Sequence, residues 1–326
     1  MNYRSGLLVI PFLLIQIVSA YSQKRELIFE NYSISKGLSH NTVHCVVQDE
    51  KGFLWIGTED GLNRFDGYSF VTFRKNIDDP TSISDNFINS LYEDKNHTLW
   101  IGTNSNGLCR YDKKTNRFKT FASYNLQGKS LPFRMINSIV EDSRGHLWLG
   151  SFSGLFEFDP VTEKIISQFH SSDILNGLSD NEIRWLYIDS DDVLWIGTNN
   201  GGLNRFDTRS MIFRHYLYDE RDNESLSSNN VGAILRDKSG NLWVGTNWGF
   251  NLLNEETNTF KRFYNDPKNS SSISANSIYS IFEDHLNNLW IGTLNGLDKF
   301  DKNSNTFYSW SFVKSKGPSF FDNQVF

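Results

Sequence analysis

The side chains best suited to recognition chemistry in this sequence are amides and aromatics set just before glycines. Glu59-Asp60, Asn104-Ser105-Asn106, Phe152-Ser153, Asn199-Asn200, Asn247-Trp248 and Leu294-Asn295 each run into a glycine. A second set, His44, Asn89, Asn137, Arg184, Gly232 and Tyr279, recurs at one position of short apolar segments, where it could point toward a central channel. Amides donate and accept at once, which suits sugar hydroxyls, and the indole of Trp248 offers a flat face for a pyranose. The candidate ligand-binding residues are therefore Trp248, Asn247, Arg184, Asn199, Asn200, Asn104, Asn106, His44 and Tyr279. Arg134 joins them, because Leu131-Pro-Phe-Arg-Met135 departs from an otherwise repetitive pattern. Taken singly, each Asn is explained equally well as an ordinary turn residue.

Catalytic signatures are missing. The seven histidines (40, 44, 97, 146, 170, 215 and 285) form no metal-spaced pair on a helix, and only His40 and His44 fall near the candidate face. Acid pairs such as Asp78-Asp79 and Asp191-Asp192 read as solvated turns. The reading assigns no catalytic residue, no metal ligand and no cofactor.

The elements that must carry these residues come from a repeat. Trp55-Ile-Gly-Thr, Trp100-Ile-Gly-Thr, Trp148-Leu-Gly-Ser, Trp195-Ile-Gly-Thr, Trp243-Val-Gly-Thr and Trp290-Ile-Gly-Thr follow one another at spacings of 45, 48, 47, 48 and 47 residues. An Asp stands six residues before each tryptophan (Asp49, Asp94, Asp142, Asp189, Asp237 and Asp284). Within one unit, apolar and β-branched runs alternate with Gly, Asn and Asp clusters. The second unit reads as strands Phe87–Glu93, Leu99–Thr103, Leu108–Tyr111 and Arg117–Phe121. A four-stranded meander at this period is a propeller blade, and nothing shows a sustained helical period. The fold class is all-β: a β-propeller of six complete four-stranded repeats and the start of a seventh.

The repeated columns have packing explanations. Asp with Gly or Asn shortly after makes the tight turn between the first two strands. The tryptophan fills the space between neighbouring blades, and the glycine after it lets an adjacent backbone approach. An Asn column (41, 86, 181, 229, 276 and 323) reads as a turn cap at the head of each first strand. First and third strands run one way and second and fourth the other. The loops between second and third strands therefore emerge on the same face as the blade-to-blade links, and that face is the candidate site.

At the start, Leu7 to Val18 is an apolar run of 12 residues followed by Ser19-Ala20, the pattern of a signal peptide over residues 1–20. A spanning helix needs about 20 apolar residues, and no other run approaches that. Residues 21–326 are assigned to the propeller. Leu27 to Ile34 reads as an extra strand that would complete the last blade, and Ser319 to Phe326 matches the head of a first strand, so the chain reads as truncated within a seven-bladed ring. Cys45 and Cys109 read as small buried residues. With 32 basic against 38 acidic residues, the net charge of −6 gives no drive toward nucleic acid or an anionic membrane.

The pattern Asp-x-x-Gly-x-Leu-Trp-Ile-Gly-Thr-x-x-Gly-Leu, with Asp79-Pro-Thr-Ser-Ile-Ser84 in a linking loop, resembles the two-component regulator propeller repeat. That resemblance implies the periplasmic sensor region of a hybrid two-component histidine kinase and response regulator, responsive to glycan fragments. It also implies a second propeller or a homodimer partner in the full-length parent, with the kinase part outside this chain. Two readings stand beside it. One is a lyase-like propeller enzyme, since streptogramin lyases share the Leu-Trp-x-Gly pattern; the other is a purely structural interaction or dimerisation module.

Overall fold

The computed structural model describes residues 29–126, 129–132, 135–171 and 177–311, with residues 124–132 described by backbone alone. Met1–Tyr32 and Ser33–Phe326 are separate compact units, and the described part of the first, residues 29–32, lies in no regular element. Of the strand expected over 27–34, the described residues 29–33 form no strand, and Ile34–Lys36 is one 3-10 turn closed by Gly37 in the left-handed region, φ 102°. A β-prone run becomes a strand only where a neighbour satisfies its N–H and C=O groups, and among the described residues no ladder includes 29–34. Leu27, Ile28, the expected signal peptide 1–20 and the expected seventh unit at Ser319–Phe326 lie outside the described residues.

Six four-stranded antiparallel sheets follow in chain order. Blade one is β1 (Val43–Gln48), β2 (Leu54–Thr58), β3 (Gly61–Phe65) and β4 (Phe70–Phe73). Blade two is β5 (Ile88–Glu93), β6 (Leu99–Thr103), β7 (Leu108–Asp112) and β8 (Arg117–Phe121). A hairpin, β9 (Ser123–Leu126) and β10 (Lys129–Pro132), fills the next link. Blade three is β11 (Ile136–Glu141), β12 (Leu147–Ser151), β13 (Gly154–Asp159) and β14 (Lys164–Phe169). Blade four is β15 (Ile183–Ile188), β16 (Val193–Thr198), β17 (Leu203–Asp207) and β18 (Ile212–Tyr216). Blade five is β19 (Val231–Arg236), β20 (Leu242–Thr246), β21 (Gly249–Asn254) and β22 (Thr259–Phe263). Blade six is β23 (Ile278–Glu283), β24 (Leu289–Thr293), β25 (Gly296–Asp301) and β26 (Thr306–Trp310). The blades stand around a common axis as a β-propeller, and their first strands meet one another from β1 through β5, β11, β15 and β19 to β23. Among the described residues, no helix is long and apolar enough to cross a membrane.

The cores lie between blades. Trp195 and Leu203 of blade four pack with Val231, Ile234, Leu242, Val244 and Phe260 of blade five, and four further clusters repeat this arrangement. The repeat tryptophans of blades one to five thus each belong to the interface with the following blade. Blade six is the exception in exposure: Phe282 is 64% exposed and Trp290 is only half-buried.

The Asp column does more than close a turn. In blade two, one oxygen of Asp94 accepts the N–H groups of Asn96 and Thr98, and the other accepts the indole N–H of Trp100 at 2.8 Å. The same indole-to-carboxylate bond occurs in all six blades. Turn and tryptophan are thereby locked together.

A clasp joins third strands to blade links. Asn63 accepts the N–H of Ser39 and donates to the Ser39 hydroxyl and to the carbonyl of Ile56. Asn251 does the same with Ser227 and Val244. In blade six the residue is Asp298, fully buried, with Ser274 and Ser309 hydroxyls donating to it. Desolvation raises its pKa, and those hydroxyl bonds only partly oppose the rise. A carboxyl whose folded pKa is raised gives full stability below the ordinary carboxylate range, and loses it as pH rises through the folded value. Asp298→Asn is therefore expected to stabilise the protein at pH 7 by on the order of 1 kcal/mol, with the gain vanishing near pH 4. Thermal melts of both proteins across pH 4 to 8 check this; a variant less stable at pH 7 would contradict it.

Candidate functional site

Second-to-third-strand turns and blade links share one face. The Gly61 N–H donates to the carbonyl of Asn86, and Asn104 N–H to that of Phe87. The asparagine column caps these links as expected: Asn86, Asn181, Asn229 and Asn276 accept the N–H groups of Lys75, Ser171, Tyr218 and Asn265. Asn323 lies outside the described residues. Each turn is held by the Thr or Ser that ends the second strand. In blade five, Thr246 Oγ1 donates to the Gly249 carbonyl at 3.0 Å and accepts the Trp248 N–H at 3.1 Å. Residues at the turn tips are thus presented on rigid backbone.

Every first strand carries a β-bulge at the variable column. The register slips between Val43 and Cys45, Ile88 and Ser90, Ile136 and Ser138, Ile183 and Trp185, Val231 and Ala233, and Ile278 and Ser280. His44, Asn89, Asn137, Arg184, Gly232 and Tyr279 are the extra residues. A bulge frees a side chain from the ladder and re-aims it, which explains why this column varies within a repetitive frame.

The structure joins many of the expected site residues on blades four and five. Asn199 Oδ1 accepts from Asn230 Nδ2 at 2.7 Å and from Arg184 at 3.4 Å, and Asn199 Nδ2 donates to Glu182 at 2.8 Å. The Asn247 N–H donates to the Asn230 carbonyl at 3.0 Å. An amide relay therefore runs from Arg184 on its bulge to the turn of Asn247 and Trp248. Trp248 is 62% exposed, and its indole nitrogen makes no hydrogen bond among the described residues. Asn200 receives only a backbone role, its N–H donating to Asp180. Tyr279 is the bulge residue of blade six.

Other candidates fall elsewhere. Asn104 and Asn106 sit on the blade-two turn, where Asn106 Nδ2 donates to the Ser84 carbonyl at 2.9 Å. His44 stacks on Phe87 with centroids 4.8 Å apart, 3.6 Å from Glu59, and burial lowers its pKa against the pull of that carboxylate. Glu59 also stands 3.8 Å from His40. Arg134 lies outside the described residues.

On the opposite face the fold assembles two groups that linear spacing does not show: Glu50, Glu93 and His97, and Asp142, His146 and Glu157. Each already holds a protein cation. Lys113 bridges Glu50 and Glu93 at 3.2 and 3.0 Å, and Arg144 bridges Asp142 and Glu157 at 2.7 and 2.8 Å. Both cysteines are free; Cys109 is buried and Cys45 only half-buried by exposure, although burial around its sulfur pushes that thiol up to about 12.

The sequence signature of the two-component regulator propeller matches residues 37–60, 82–105, 130–153, 177–200, 225–248 and 272–295. Among solved structures, the chain is similar to the extracellular domain of a hybrid two-component system of B. thetaiotaomicron, at 30% identity and a TM-score of 0.74, over 88% of this chain and 37% of that one. A curated relative, histidine kinase P4 of Formosa agariphila, is 43% identical over 67 residues, which are 21% of this chain and 5% of the relative. Virginiamycin B lyase from Staphylococcus aureus shares 15% identity and a TM-score of 0.62 over 84% of this chain and 85% of the lyase, a likeness of fold alone. The chain thus spans little over a third of the extracellular domain it matches. Six copies of the repeat between residues 37 and 295, each covering the first two strands of one blade, make this chain a member of the two-component regulator propeller family.

Proposed function

We propose that this chain is the ligand-sensing propeller of an exported sensor protein in a two-component phosphorelay, working on the periplasmic side of the membrane and taking a glycan fragment on the turn face. The observation that carries the reading is the exposed, unbonded indole of Trp248 beside the amide relay through Asn247, Asn230 and Asn199. A flat apolar platform edged by paired donors and acceptors is how sugars are held in water. Export through residues 1–20 belongs to the same reading, as do a kinase and a response regulator in the parent protein. The reading gives the chain no catalytic step.

A second reading rests on Phe152 and Leu294, which are 41% and 39% exposed on the same face. Such apolar points favour a module that pairs with a second propeller or a second copy. Glycan-array screening followed by calorimetric titration separates the two. Saturable binding of an oligosaccharide, weakened about tenfold or more by Trp248→Ala with no loss of thermal stability, is the expected result. Binding indifferent to Trp248→Ala would move the site, and a flat response from folded protein would favour the pairing module.

A further inference from the structure

Arg184 is the one cation in the bulge column, and it is under-compensated. No carboxylate lies within 4.0 Å of its guanidinium among the described residues, and its single hydrogen bond is the 3.4 Å contact to Asn199. A guanidinium carries five donors, so most of its capacity is open. Glu182, the nearby acid in sequence, is engaged by the Asn199 amide instead. Burial pulls the pKa of Arg184 below the ordinary arginine value, and only Tyr279 opposes that.

The neighbouring bulge places a glycine, Gly232, beside this side chain. Gly232 has no positive φ, so its backbone conformation does not require glycine, and glycine within a strand is destabilising relative to alanine. A Cβ there would stand 3.9 Å from the Arg184 guanidinium and 3.3 Å from the Ile278 carbonyl. The corresponding position holds a larger side chain in every other blade. A half-buried cation left without a counter-ion is poorly explained by stability alone, because desolvating an unpaired charge is unfavourable.

Building on the sugar-binding reading above, we infer that the ligand is an acidic glycan, whose carboxylate or sulfate ester pairs with Arg184 while a ring stacks on Trp248. Both anions present the two coplanar or near-coplanar oxygens that a guanidinium fork binds. The net charge of −6 disfavours non-specific attraction of such a ligand, so the local pairing must supply the preference.

The test uses a panel of acidic oligosaccharides, each matched to a neutral counterpart: oligouronides with their methyl esters, and sulfated galactans with desulfated ones. The full chain is titrated as parent, Arg184→Gln and Trp248→Ala. The expected result is at least a tenfold preference for the acidic member in the parent, abolished by Arg184→Gln. The class of pair showing the preference identifies the anion. Arg184→Gln should also melt no lower than the parent without ligand. Acidic and neutral members binding alike, both weakened by Trp248→Ala, would overturn the acidic preference and leave the sugar site standing. A preference that survives Arg184→Gln would overturn the role of Arg184, and no binding to either class would overturn both readings.

Discussion

Replacing Trp148 by alanine is expected to cost about 3–5 kcal/mol of unfolding free energy, the range for truncating a fully buried large aromatic. Trp148 is 0% exposed, packs on Phe169 and Phe206 with centroids 6.1 and 5.5 Å away, and donates its indole N–H to Asp142. Truncation opens a void between blades three and four and leaves a buried oxygen of Asp142 with one partner fewer. The loss should appear as a lower urea midpoint. Trp290→Ala, at the half-buried equivalent in blade six, should cost markedly less. Equal losses at the two positions would show that the indoles stabilise their own sheets and not the joints.

The second large effect is expected from a single added methyl group. Gly102 faces the next blade so closely that a Cβ would lie 2.5 Å from the backbone oxygen of Ile136. A side chain could rotate away, but a carbonyl held in a first strand cannot. Gly102→Ala should therefore destabilise by about 1–3 kcal/mol or more through overpacking. Gly240→Ala is the control, since its Cβ meets nothing within 4 Å and only its φ of 89° resists a side chain. The prediction is checked by comparing denaturant midpoints of the two variants. A Gly102→Ala protein as stable as the parent would mean that the blades can spread to admit a methyl group.

Most of the architecture was legible because each blade repeats the same residues. The second and fourth strands of blade two, Leu99–Thr103 and Arg117–Phe121, fall where the apolar runs place them. The first strand begins one residue late, at Ile88, because the Phe87 carbonyl is used by Asn104 in the link. The bulges escaped notice, although a signal was available. Ile88 and Leu91 share a core face three residues apart, as do Ile183 and Leu186, and an unbroken strand returns to one face only at even spacings. The constant six-residue offset from Asp to Trp likewise foretold the indole bond. No linear signal could have joined Glu50 to His97, or Arg184 to the turn of another blade, since those neighbours are set by packing between repeats. Residues 29–34 form no strand, since β-propensity alone does not say whether a run has a ladder partner.

The placement of each tryptophan against the following blade has a consequence for how such chains can grow. Any stretch cut from one tryptophan to the next contains the receiving half of one joint and the donating half of another. An in-frame duplication of about 47 residues would therefore create a junction with the same geometry as its neighbours, needing no new complementary surface. Tandem copying can lengthen the array at little structural risk, while the bulge and turn-tip residues of the new copy, which lie outside the tryptophan clusters, are left open to diverge.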